Sequence, residues 1–302
     1  MYTVNNFING KSDSTSSKSS KIINPSYGVD IGEVLYASKE SANLAIDAAS
    51  DAFKTWSKTG MSYRAELILK FRQEVINKSA EIIDICTKEA GKTKPDAEAE
   101  LDRAIQALTH ASGIQHFYPA HISRNVAGNI DIADMRYPIG VVAGVGPFNF
   151  PILIPILHSS MALVTGNTYI AKPSEKVPSI SRLYADIYKD IGLPDGCYNV
   201  INGGKDIVEY IVSHQKVDGL AFIGSTNAAR SLKALGVKNN TKVQALGGGK
   251  NHMIVLPDAD LDMAADAAVS ASFGAAGQRC MAVSVVVAAV SYTHLRAHET
   301  RT

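Results

Sequence analysis

From Tyr137 to Ala171 the chain runs for 35 residues without an Asp, Glu, Lys or Arg. An uncharged run of that length either spans a bilayer or is buried inside a protein. Here it is cut by Pro138, Gly140, Gly144, Gly146, Pro147, Pro151, Pro155 and Gly166. In lipid those breaks would leave backbone N–H and C=O groups without partners. The stretch therefore reads as a buried strand, a turn and a buried helix, and no membrane role is expected.

The rest of the chain fits that reading. Apolar residues make up 46% and charged residues 20% of 302, enough to build a core and too apolar for a disordered chain. A formal net charge of +1 gives no footprint for nucleic acid or an anionic surface. Cys86, Cys197 and Cys280 are widely spaced, with no CxxC pair and no Cys/His cluster, so neither a disulfide scaffold nor a metal site is expected. No secretory signal precedes Phe7, and a reducing cytoplasm is the expected compartment.

Periodicity divides the chain in two. Lys11 to Lys21, rich in Ser and Lys, reads as a surface loop after a short N-terminal strand. Ser38 reads as the N-cap of a helix whose inner face carries Leu44, Ala45, Ala48, Ala49, Ala52, Phe53 and Trp56. Leu67 to Ile76 marks a second helix, and Ser79 opens a third that stops at Gly91. A fourth runs from about Asp96 to His116. Beyond Arg136, short apolar runs at Gly140–Gly144, Thr168–Ala171, Tyr198–Ile201, Gly219–Ile223, Val243–Leu246 and Met253–Leu256 alternate with helical patterns. This βαβα rhythm predicts an α/β fold with a doubly wound, mostly parallel sheet and ligands at the carboxyl ends of its strands.

The chemistry then belongs in the turns after those strands. In Gly146-Pro-Phe-Asn-Phe-Pro151, Asn149 either offers an amide to a reacting oxygen or bonds its own turn. Lys172-Pro-Ser-Glu175 pairs a cation for phosphate or ribose oxygens with an acceptor for ribose hydroxyls, or is a solvated turn. Gly224-Ser225, ahead of a helix, suits a pyrophosphate at the helix N-terminus. Cys280, next to Arg279 after a small-residue turn, is either a nucleophile readied by its cation or a buried thiol.

The order Asn149, Lys172/Glu175, Gly224-Ser225, Cys280 resembles the motif series of the aldehyde dehydrogenase superfamily over about residues 5–290. Pro147-Phe-Asn-Phe-Pro151, Lys172-Pro-Ser-Glu175, Gly249-Lys-Asn-His252 and Phe273 to Met281 are most similar to its CoA-acylating methylmalonate-semialdehyde branch. The resemblance implies Cys280 as nucleophile, with Asn149 as oxyanion donor. It implies NAD held by Gly146, Pro147, Phe148, Lys172, Glu175, Lys176, Gly224, Ser225 and Gly247, with Glu175 favouring NAD over NADP. Arg103 and Arg279 match arginines that take the substrate carboxylate, and coenzyme A is the implied acyl acceptor. The implied reaction turns methylmalonate or malonate semialdehyde into propionyl-CoA or acetyl-CoA.

Two positions depart from the family pattern. Leu246 stands where hydrolytic members carry a glutamate base, which disfavours water as acyl acceptor. Ala229 stands where a glycine packs against the sheet. A hydrolytic dehydrogenase and a dinucleotide-binding fragment without turnover are the alternatives. The expected organisation is a NAD-binding domain over 1–246 with a bridging segment at about 118–138, then the opening of a catalytic domain over 247–290. Residues 291–302 read as a non-native tail on a shortened chain. A full-length relative would form a homo-oligomer, and for a shortened chain that is left open.

Overall fold

The computed structural model describes residues 1–16, 18–117 and 120–289. The expected tail at 291–302, and the first two residues of the expected bridge, lie outside the described residues. The chain divides into two compact units, Met1–Gly247 and Gly248–Thr302.

The first unit begins with five short strands, β1 (Tyr2–Val4), β2 (Asn6–Ile8), β3 (Lys11–Asp13), β4 (Ser19–Asn24) and β5 (Val29–Leu35). The expectation of a loop over Lys11 to Lys21 is thus corrected, since β3 and the start of β4 occupy it. The cause is Asn9-Gly10, both at positive φ (49° and 74°), which closes β2 and β3 into a two-residue hairpin. Helices α1 (Lys39–Trp56), α2 (Met61–Asn77), α3 (Ser79–Ala90) and α4 (Lys94–Ser112) follow, then the single turn α5 (Ile114–Phe117). Ser38 caps α1 by accepting from the Ser41 N–H, and Gly91 ends α3 at φ 66°. The face assigned to α1 needs one change: Leu44 is exposed, and Ala42 and Ile46 are buried instead. The fourth helix starts earlier than expected, because Thr93 caps it, and breaks at Gly113.

Next come the hairpin β6 (His121–Ala127) and β7 (Ile130–Asp134), and then the alternating region. Its elements are β8 (Val141–Val145), α6 (Leu153–Val164), β9 (Thr168–Lys172), α7 (Ser179–Asp190), β10 (Tyr198–Val200), α8 (Lys205–Ser213), β11 (Gly219–Ile223), α9 (Thr226–Asn239) and β12 (Lys242–Leu246). Five of these strands run parallel in the order β12-β11-β8-β9-β10, and the antiparallel β2 and β3 complete one edge. Alternation sends side chains to two cores. Tyr169, Ala171 and Tyr198 face a cluster with Phe71, Leu108, Ile156 and Tyr184. Val141, Ala143, Val145, Ile170 and Leu220 face a second cluster with Ala45, Ile211 and Leu232. Ala229 is 7% exposed within the second cluster, so its methyl is accommodated there.

The second unit holds β13 (Asn251–Val255), α10 (Leu261–Phe273), a 3₁₀ turn at Gly274–Gly277 and β14 (Val283–Ala288), with β13 and β14 parallel. Val255 is its one buried side chain among the described residues.

Candidate functional site

Chain order reverses at β8: the next two strands, β9 and β10, lie on one side of it, while β11 and β12 lie on the other. In an open parallel sheet such a reversal leaves a crevice outside the carboxyl ends of the strands, and here α8 and α9 flank it from the face of the second cluster. The first unit has a cavity of about 450 Å³ at this place. Val145, Lys172 and Phe222 bring the strand ends to it. Lys205, Val208 and Glu209 line one wall from α8, and Ala228, Ser231 and Leu232 line the other from α9. Both sets follow i, i+3, i+4 spacing, one stripe of a helix each.

Of the residues expected to hold a cofactor, Lys172 and Glu175 line this cavity. Lys172 ends β9 and is 5% exposed, with its Nζ 3.4 Å from Glu175 Oε2. Burial lowers the pKa of its ammonium, against the pull of Glu175 and then Asp206. Such a poorly solvated cation at a strand end gains from a new oxygen ligand. Lys176 lies outside the cavity, its exposed ammonium 4.9 Å over the Phe148 ring.

Gly224 and Ser225 open α9 in a way the motif alone did not reveal. The Gly224 N–H donates to Leu246 O at 3.1 Å, so it is committed to the sheet. What Gly224 supplies is room, since a Cβ there would lie 2.5 Å from the Phe222 ring that walls the cavity. Ser225 Oγ is the N-cap of α9, accepting from the Ala228 N–H at 3.3 Å. The cap uses Ser225 Oγ as an acceptor and leaves its O–H to donate, so that hydroxyl and the positive end of the α9 dipole both suit an anion at this turn. Gly247 closes the unit beside this turn; a Cβ on it would stand 3.0 Å from Thr226 Cα.

Asn149 sits half-buried in the turn between β8 and α6. Gly146 fixes the start of that turn by donating to Lys172 O at 3.1 Å. Arg103 is exposed on α4, its Nη1 donating to Gln106 Oε1 at 2.6 Å.

Cys280 belongs to the second unit and is exposed, whereas Cys86 and Cys197 are buried. Burial pushes both of those thiols up to about 12 and keeps them protonated at neutral pH. The Cys280 carbonyl is held by Asn251 Nδ2 at 2.8 Å, and the same amide reaches Ala282 O at 3.0 Å. Ala275 and Ala276 precede it at φ 51° and 53°, left-handed positions that cost an alanine on the order of 1 kcal/mol each. Arg279 packs over Gly274, where a Cβ would lie 2.6 Å from its Nη1.

Sequence reasoning missed the helical walls of the cavity, Val208, Glu209, Ser231 and Leu232 among them. Their spacing was visible as ordinary amphipathic helix, and only the strand order tells which end of each helix faces a ligand. Among the described residues no group of three or more His, Cys, Asp or Glu could hold a metal ion, and no helix is long and apolar enough to cross a membrane.

The first unit is thus a doubly wound α/β domain with its crevice at the switch point. The chain belongs to the aldehyde dehydrogenase family, whose pattern it matches over residues 12–296. It is 41% identical over 287 residues to the malonate-semialdehyde dehydrogenase of Pseudomonas aeruginosa, covering 95% of this chain and 58% of that protein. The enzyme of the same name from Lacticaseibacillus casei is 40% identical, with 94% and 58% covered. Among solved structures, methylmalonate-semialdehyde dehydrogenase from Oceanimonas doudoroffii superposes with a TM-score of 0.93 at 38% identity, over 96% of this chain and 60% of that one. A chain from Sinorhizobium meliloti 1021, solved in complex with NAD, gives 0.92 at 38% identity, over 95% and 59%. The chain spans less than two thirds of the length of these relatives.

Proposed function

We propose that the protein serves NAD-dependent oxidation of malonate or methylmalonate semialdehyde, with the acyl group passing from Cys280 to coenzyme A. The observation that carries this reading is the 450 Å³ switch-point cavity with Lys172 and Glu175 in its lining. The names of the relatives support the substrate class. The cavity fits a dinucleotide: two helical walls with apolar Val208 and Leu232 suit a flat base, Glu175 accepts from ribose hydroxyls, and the start of α9 suits a phosphate. Bound NAD would supply the hydride acceptor.

In the proposed scheme the Cys280 thiolate adds to the aldehyde carbon, and the Asn149 side-chain amide donates to the oxygen as it takes up charge. Loss of hydride from that carbon leaves a thioester on Cys280. Arg103 and Arg279 would hold the substrate carboxylate, which a planar guanidinium fits with two hydrogen bonds. The bond from the α-carbon to the carboxylate breaks to release carbon dioxide, the electron pair left on the α-carbon takes up a proton, and the thiolate of coenzyme A then displaces Cys280 as its thiolate. Leu246, 51% exposed at the end of β12, cannot accept a proton from water, which favours a thiol acceptor over hydrolysis. In this scheme residues 1–247 bind NAD and residues 248–290 supply the nucleophile.

The direct test is titration of the chain with NAD, followed by mixing with malonate semialdehyde with and without coenzyme A. Saturable NAD binding, weakened about tenfold to a hundredfold by Lys172→Met, and NADH formation that coenzyme A accelerates are expected. Absence of saturable binding, or binding indifferent to Lys172→Met, would overturn the assignment.

A further inference from the structure

The turn that carries Asn149 is gripped from behind by a buried ion pair that the reaction scheme does not use. Glu100, on α4, is 3% exposed. Its Oε1 accepts from the N–H groups of Ile152 and Leu153, at 2.8 and 2.9 Å, where the turn enters α6. Its Oε2 lies 2.6 Å from the Nζ of Lys92, whose side chain is 8% exposed against 1% for that of Glu100. The Lys92 ammonium in turn stands 4.3 Å over the Phe150 ring. One ion pair thus holds positions 150, 152 and 153, all immediately after Asn149.

Stability alone is a weak reason for such a pair. Desolvating both charges offsets much of their attraction, and apolar side chains of the same volume are often as stable. What a carboxylate adds is direction: two backbone donors must meet one oxygen, which fixes the turn against α4. The same helix carries Arg103 one turn further on, exposed, with its Nη1 donating to the equally exposed Gln106.

We propose that Glu100 and Lys92 are positioning residues that lock α4 to the Asn149 turn. They thereby set the spacing between the guanidinium that takes the substrate carboxylate and the amide that takes its carbonyl oxygen. This rests on the reading of Arg103 and Asn149 given above. A semialdehyde spans both groups and feels that spacing; a simple aldehyde such as propanal meets only the second.

The test uses the full chain as wild type, Glu100→Ala and Glu100→Gln, the last keeping shape and one acceptor oxygen. Amide hydrogen exchange at Ile152 and Leu153 is expected to rise at least about tenfold in Glu100→Ala, and less in Glu100→Gln, while β11 is unchanged. The loss in kcat/KM is expected to be about tenfold greater for malonate semialdehyde than for propanal, because misplacement by about an ångström is costly only where two groups must be met together. Equal losses for both aldehydes, or unaltered exchange at Ile152 and Leu153, would overturn the proposal. If wild type oxidises neither aldehyde, the proposed function fails and the exchange measurement alone decides the grip. Should Glu100→Ala not fold, Glu100→Gln is read by the same two measurements.

Discussion

At the scale of single residues, the most consequential side chain outside the site is His158. It stands on α6 with its Nδ1 buried and without a hydrogen-bond partner, and burial pushes its pKa down to about 4. The folded state therefore holds the neutral ring, while the unfolded chain takes a proton near the ordinary value of 6.5. The stability this contributes is present above pH 6.5 and is lost as pH falls through about 4, by up to about 3 kcal/mol. Urea midpoints measured between pH 7 and 4 should fall more steeply for wild type than for His158→Leu. The difference isolates His158, because Glu89 and Glu100, whose carboxyls burial raises, titrate alike in both proteins. Glu175 gives a second test. Its carboxylate beside the cavity repels a ribose phosphate, so Glu175→Gln should narrow the gap between NAD and NADP affinity, measured by parallel titrations. Lys172 and Glu175 were legible in the sequence because their motif sits at the end of a strand. The capping role of Ser225 Oγ was not, since a cap cannot be assigned until the helix start is placed.

At the scale of elements, the sheet was readable and the hairpins were not. Runs such as Gly219–Ile223 declare themselves because both faces are covered, so apolar residues are continuous. In Val29–Leu35 a register shift at Ile31 breaks the two-residue alternation, so that Asp30 and Glu33 pair with Ile23 and Lys21 on one side, and that interrupted pattern hid β5. Asn9-Gly10 was the stronger signal and outweighs the polar composition around it. Close packing between neighbouring strands yields a further prediction. A Cβ on Gly144 of β8 would lie 1.8 Å from the hydroxyl oxygen of Tyr169 on β9. Tyr169 is 1% exposed and stacked on Tyr198, so its ring has nowhere to move. Gly144→Ala should destabilise the protein by about 1 to 3 kcal/mol, read as a lower Tm.

At the scale of the molecule, the two units differ in self-sufficiency. All the residues lining the cavity fall within Met1–Gly247, which has two extended apolar clusters of its own. A protein ending at Gly247 should bind NAD with the dissociation constant of the full chain, measured by calorimetry. Residues 248–289 expressed alone should give the circular dichroism of an unfolded chain, because one buried side chain cannot offset chain entropy. Motif order made the arrangement of the first unit legible, because each motif sits in a turn that follows a strand of one sheet.

The pairing of β2 with β10 has a temporal consequence. Phe7 is matched in register to Val200, so the first hairpin of the chain has no place in the large sheet until nearly 200 residues have been made. At ribosomal rates that wait lasts roughly 10 to 40 s. For that time the β2–β3 ribbon is an open edge on the nascent chain, and the protein is most exposed to misassociation before it is complete.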